Sequence, residues 1–126
     1  DNPESYTIED GEIILLPSYK EGYTFLGWFE ENEKIEVINA SNLKDYFLEA
    51  RFEINKHIIK YYVDEELVST VELNFGDRIS DNKPEKDDYK FLGWFENDEK
   101  FTLRYMPDRD LILVSKWEVF ITLIIT

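Results

Sequence analysis

The chain has 126 residues, with 28 acidic against 14 basic side chains for a net charge of −14, a single histidine and no cysteine. That balance repels phosphate backbones and anionic lipid, which argues against nucleic acid and membrane surfaces as partners, while the missing thiols exclude disulfides, thiolate metal sites and a cysteine nucleophile. Hydrophobic residues make up 43% and aromatic residues 16%, too much for a disordered acidic chain, so the charge reads as solvation of an exposed surface rather than as a dedicated cation site.

Asp1 to Glu4 is acidic and polar where a signal peptide needs a basic start and an apolar run, so the chain reads as an excised piece. Tyr6 to Ile8 reads as the end of a strand, Gly11-Glu12 as its stop, and Tyr23 to Phe29 as a strand dense in aromatic residues. Ala50 to Glu53 closes this first stretch. His57 to Val63 alternates Ile59, Tyr61 and Val63 against Ile58, Lys60 and Tyr62, and Leu67 to Phe75 places Leu67, Val71, Leu73 and Phe75 on one face. With the short polar link Asp64-Glu65-Glu66 between them, the two runs form a β-hairpin, although the favoured Asn-Gly or Asp-Gly turn is absent. Ser80 to Asp88, with Pro84 and a charged run, reads as a loop with one helical turn. Tyr89 to Phe95 puts Tyr89, Phe91, Gly93 and Phe95 on one face and Leu92 and Trp94 on the other, a strand covered on both sides. Leu111, Leu113, Ser115 and Trp117 mark a last alternating strand. Val119 to Thr126 is the longest apolar stretch at eight residues, too short for a membrane-spanning helix, and reads as a further strand.

The chain repeats itself. Tyr23 to Lys34 lies over Tyr89 to Lys100 at an offset of 66 with nine of twelve positions identical, and flanking matches (Gly11-Glu12 over Gly76-Asp77, Pro17 over Pro84, Ala50 to Glu53 over Ser115 to Glu118) keep nearly that offset. Such self-similarity marks an array of small units that share interfaces with neighbouring repeats. The units are residues 1–53, a first repeat lacking its opening strand; 54–118, a second repeat; and 119–126, an extra strand that begins a third. As a hypothesis, that apolar strand pairs with an open sheet edge of another copy, giving self-association.

The segments Lys20 to Phe29, Tyr89 to Phe95 and Ser115 to Glu118 resemble the Listeria–Bacteroides repeat, the family that includes the B-repeat of listerial internalins, over about residues 6 to 118. The resemblance implies a mainly β fold, a β-grasp-like α+β unit with little helix in two tandem small repeats, carried by extracellular, cell-surface or secreted proteins of Gram-positive and some other bacteria between adhesive modules and a cell-wall anchor. It implies no activity and no cofactor. The chain departs from the family pattern at Ala50-Arg51-Phe52, where a Trp ending is usual, and at Asp87-Asp88, where Glu-Gly precedes the Tyr.

The candidate sites are few. Gly27 and Gly93, flanked by rings, suggest a bulge or the close approach of another segment. Trp28, Trp94 and Trp117 at strand spacing are core anchors rather than a sugar platform. His57, in a strand, has no repeat counterpart and no nucleophile pattern around it, which argues against an acyl-transfer triad. The acidic clusters Glu30 to Glu33 and Glu96 to Glu99 lack the ligand spacing and central glycine of a calcium loop, so any calcium they hold is adventitious and they read as solvated turns. No catalytic, cofactor-binding or metal residue emerges, and the expectation is a non-enzymatic stalk or spacer for adhesion. The alternative is a binding module whose repeats contact a host protein or glycan directly, with the ligand-binding residues unknown.

Overall fold

The computed structural model describes residues 6–9, 11–39, 41, 44–120 and 124–125. It divides into two compact units, Asp1–Asn55 and Lys56–Thr126. The described residues contain no helix, and the chain is mainly β, as expected from its period-two runs.

The first unit holds β1 (Tyr6–Glu9), β2 (Glu12–Leu15), β3 (Tyr23–Glu30), β4 (Glu33–Ile35), β5 (Val37–Asn39) and β6 (Glu49–Ile54). They form two antiparallel three-stranded sheets, ordered β1-β2-β5 and β4-β3-β6. Tyr6 to Ile8 therefore pairs locally with Ile13 to Leu15 across the Gly11 turn. In the second sheet, β6 is an edge strand.

The second unit holds β7 (Lys56–Val63), β8 (Glu66–Asn74), β9 (Tyr89–Glu96), β10 (Glu99–Lys100) and β11 (Leu111–Val119) in one mixed sheet ordered β10-β9-β11-β7-β8. Only the central β7–β11 pair is parallel. The β7–β8 hairpin forms as the alternation predicts, on a two-residue turn with Asp64 at φ 49° and Glu65 at φ 67°. Two left-handed residues are what a type I′ turn requires, and here they are supplied without glycine. A bulge then leaves Val68 unpaired, because Tyr61 faces Ser69 while Tyr62 faces Leu67. Leu67 is consequently half exposed and the inward face continues as Val71 and Leu73. No helical turn forms between Ser80 and Asp88. Apart from the turn closed by Tyr89 N to Lys86 O at 3.1 Å, that stretch bonds sideways, Trp94 Nε1 to Asn82 O at 2.6 Å and Phe120 N to Asp88 O at 2.7 Å, as does the adjoining Ile79 N to Arg104 O at 2.8 Å.

The core of the second unit is Ile59 and Tyr61 from β7, Leu111 and Leu113 from β11, and Ile79 and Met106 from the loops, with Val71, Leu73, Trp94 and Phe101 packed against it. Leu111, Leu113 and Ser115 point inward while Ile112 and Val114 are exposed, the alternation expected of β11. In the first unit Ile38 is the buried hydrophobic residue among those described. The difference follows from topology, since β7 alone contributes two of the six core side chains and the first unit has no strand in its place among the described residues.

The two units end alike. Asn55 N donates to Gly22 O at 2.9 Å, and Phe120 N donates to Asp88 O at 2.7 Å. Gly22 has φ 80° and Asp88 φ 66°, so the aspartate adopts the left-handed backbone that glycine supplies in the first repeat. Of the extra strand expected over 119–126, residues 121–123 and 126 lie outside the described residues. Val119 closes β11, and Phe120, Ile124 and Ile125 are exposed and belong to no strand.

Because burial of contiguous core strands sets local opening free energies, amides of β7, β9 and β11 should exchange with solvent roughly tenfold or more slowly than those of β3 and β6. Native-state hydrogen exchange on the intact chain measures this, and equal protection in the two units would overturn it.

Candidate functional site

The duplicated motif builds the same local structure twice. In β3, Phe25 faces Phe52 and Gly27 faces Arg51, leaving Leu26 as an unpaired extra residue. In β9, Phe91 faces Trp117 and Gly93 faces Lys116, leaving Leu92 unpaired. The glycines sit at φ 140° and 133°, backbone that side chains rarely adopt. A lysine stem also crosses each one, so that an added Cβ would lie 2.7 Å from Lys34 Cε or 3.2 Å from Lys100 Cε. Both sequence readings of the glycines, bulge and close approach, are therefore realised.

The bulge corrects the face assignment for Tyr89 to Phe95. One extra residue flips every side chain beyond it to the other face, so Phe91 and Trp94, three apart, share a side and meet edge to face at 5.4 Å between ring centres. Phe25 and Trp28 do the same at 5.8 Å. Leu92 is thrown outward and Tyr89 is also exposed, so the strand is not covered on both sides. Periodicity could not reveal this, though the glycine between large rings was its one sequence signal.

Each tryptophan then uses its polar tip. Trp94 Nε1 donates to Asn82 O at 2.6 Å and Trp28 Nε1 donates to Leu16 O at 2.8 Å, both reaching twelve residues back. Trp94 also packs edge to face on Tyr61 at 4.8 Å, against the buried core. Trp117 meets Phe91 edge to face at 5.3 Å and donates from Nε1 to Ser115 Oγ at 2.8 Å. Trp94 is thus a core anchor, while Trp28 and Trp117 are held by ring contacts and hydrogen bonds outside the buried cluster.

Over each Gly-Trp pair lies an open groove. In the second unit it encloses about 440 Å³ between the 78–83 and 101–104 segments. In the first it encloses about 430 Å³ beside Trp28 and Lys34. Sequence reading missed these grooves, because their walls are irregular segments without periodicity.

The glutamate after the motif is paired in both units. Arg109 donates to Glu96 through both terminal nitrogens, Nη2 to Oε1 at 2.9 Å, and Lys44 Nζ donates to Glu30 Oε1 at 2.9 Å. The Arg109 hydrogen bonds hold the Glu96 carboxyl below its ordinary value, as Lys44 does for Glu30. The acidic clusters are turns, as expected, with Asn97 and Asp98 at φ 49° and 66°. No group of three or more possible metal ligands occurs among the described residues. His57 lies between two carboxylates, with Nε2 2.7 Å from Asp108 Oδ1 and Nδ1 3.4 Å from Asp110 Oδ1. Asp110 Oδ1 also accepts from Ile58 N at 2.9 Å, which ties the start of β7 to the segment entering β11.

Residues 2–46 and 57–116 match the Listeria-Bacteroides repeat domain. The chain belongs to the Listeria-Bacteroides repeat family. Two proteins of Evansella cellulosilytica, named "putative membrane protein" and "putative Gly-rich membrane protein", are each 31% identical over 114 residues, covering 82% of this chain but 17% and 13% of their own lengths. Internalin H of Listeria monocytogenes is 30% identical over 99 residues, 73% of this chain and 18% of its own. The chain thus spans less than a fifth of the length of these relatives. The matched segments take in Gly27 and Trp28 as well as Gly93 and Trp94.

Two outcomes follow for this site. Gly93→Ala should destabilise the second unit by about 1–3 kcal/mol through its backbone conformation, read as a lower urea midpoint with an unchanged slope. Glu96 has a lowered folded-state value, so the stability it contributes is present above the unfolded glutamate value of about 4.3 and is lost as pH falls through the folded one. Glu96→Gln should therefore be less stable than wild type by about 0.2–1 kcal/mol at neutral pH, a solvent-screened pair. The gap should close under acid, and a gap that persists under acid would contradict the pairing.

Proposed function

We propose that the chain is a non-enzymatic spacer segment of a bacterial cell-surface or secreted protein, one that holds adhesive regions away from the cell. The observation that carries this reading is duplication of structure without duplication of chemistry. Bulge, tryptophan hydrogen bond and glutamate ion pair recur in both units, whereas His57 and its two carboxylates occur once. Elements kept in every repeat serve the repeat's own stability. The strand order of the second unit, a central parallel pair flanked by antiparallel strands, supports a β-grasp-like unit in which an extended loop replaces the helix. Similarity to Internalin H and to named membrane proteins supports an extracellular site at the cell wall of a Gram-positive organism.

A spacer is defined by length and not by surface. Replacing this segment in the parent protein with an unrelated β-repeat of equal length should leave adhesion unchanged, whereas deleting it should weaken adhesion while surface display persists. Loss of adhesion in the equal-length replacement would sink the spacer reading and favour direct contact by the repeats with a host molecule.

A further inference from the structure

The groove beside Trp94 gathers positive charge where the rest of its unit is acidic. Residues 56–126 carry fifteen acidic and ten basic side chains, net −5. Arg78, Lys83, Lys100 and Arg104 nevertheless line this groove with a single carboxylate, Asp81. None of the four is in an ion pair among the described residues, which is also true of Lys56, Lys60 and Lys90 of the same unit, and Arg78 lies 6.0 Å from the centre of the Tyr105 ring. All four are exposed and screened by solvent, so what asks for a reason is the local excess of four cations over one carboxylate in a unit whose net charge is negative.

The fold does not supply that reason. The first unit builds a groove of nearly equal volume over the same Gly-Trp-Lys arrangement from Ile14, Leu15, Pro17, Ile35 and Val37. Its one lining cation, Lys34, is paired with Glu36 at 3.6 Å. Lys100 has a packing role through its stem over Gly93, but Arg78, Lys83 and Arg104 have no counterpart in the apolar groove.

The cationic groove is also held in shape. Ile79 N donates to Arg104 O at 2.8 Å, Phe101 N donates to Trp94 O at 2.9 Å, and the Trp94 indole fixes Asn82. The charged side chains thus stem from a fixed backbone, which lowers the ordering cost of binding. Phe91 and Trp94 lie among the lining residues, and Ser80, Asn82 and Thr102 place neutral hydrogen-bonding groups between the cations.

We propose that this groove binds an acidic saccharide of a few residues. Its carboxylate or sulfate groups would meet the arginines and lysines, its hydroxyls Ser80, Asn82 and Thr102, and its C–H faces the aromatic rings. The volume falls in the range of small-ligand sites. An acidic peptide is less well matched, because extended peptides add to sheet edges and the groove's edge strand, β10, has two residues. A long polyphosphate would run onto the acidic surface beyond the groove. This site goes beyond the spacing role, and its failure would leave that role standing.

The test is a titration of the isotope-labelled 126-residue chain, followed by amide and indole NMR shifts at low salt, with tetragalacturonate, a neutral tetrasaccharide and tetraglutamate as probes. Tetragalacturonate should give saturable shifts confined to residues 78–83, 101–104 and the Trp94 indole, and the neutral sugar none. Exchanging both exposed arginines, Arg78→Ser with Arg104→Ser, should preserve the spectrum and weaken binding roughly tenfold. Lys83→Ser reads a smaller loss in the same direction should the double variant lose its fold. Absence of saturable shifts, shifts scattered over the unit, full binding by Lys83→Ser and the double variant, or tetraglutamate binding as tightly as the uronate would each overturn the proposal.

Discussion

The hydrogen bond from the Trp94 indole to the Asn82 carbonyl, 2.6 Å long, is the constraint around which the second unit is arranged. A tryptophan half-buried in a core must satisfy one donor, and here the acceptor lies on a segment with no sheet partner of its own. The bond therefore does two things at once. It lets the ring pack on Tyr61 and the core, and it fastens the middle of a loop whose ends are tied by the Ile79–Arg104 and Asp88–Phe120 backbone hydrogen bonds. For the ring to face that way, the strand must shift its alternation by one residue, which the Leu92 bulge achieves and which requires glycine at 93. Tryptophan, glycine and loop form one device, and the first unit repeats it with Trp28, Gly27 and Leu16.

Repetition of the device does not make the units equal. In the second unit the parallel strand β7 lays Ile59 and Tyr61 against Leu111 and Leu113, and each of these four is almost fully buried. The first unit has the bulge and the tryptophan clamp without such a strand, so its apolar side chains stay partly wet and only Ile38 is buried among those described. Burying one aliphatic side chain is worth about 1.5–3 kcal/mol, so the lack of two inward strand residues weighs heavily on so small a sheet. The clamp specifies a shape, and the core beneath it determines how firmly that shape is held.

The strands were legible because period two survives in β7 and β11, and the repeat was legible because nine identities in twelve positions need no structural knowledge. The β7–β8 hairpin could be read despite its unfavoured turn, since alternation on both sides outweighed the missing glycine. Reading failed where a single residue broke the period. Leu92 and Val68 each displace the faces beyond them, and no pattern count distinguishes a bulge from an uninterrupted strand. The loop from Ser80 to Asp88 was given a helical turn on composition, but its hydrogen bonds are made with distant segments, a tertiary choice that local propensity does not encode. The groove was invisible for the same reason. Arg78, Lys83, Lys100 and Arg104 span 27 positions of sequence and come together only after the two irregular segments are stitched.

The two grooves separate what the repeat must keep from what it is free to vary. Glycine, tryptophan and the crossing lysine recur with the bulge and clamp that they build, and the glutamate after the motif is paired each time. The walls recur only in part, since Ile35 and Val37 lie over Phe101 and Leu103 at the repeat offset while Arg78, Lys83 and Arg104 have no cationic counterpart, although the cavities differ by only about 10 Å³ in volume. Cations at those three positions are therefore not needed to form the cavity.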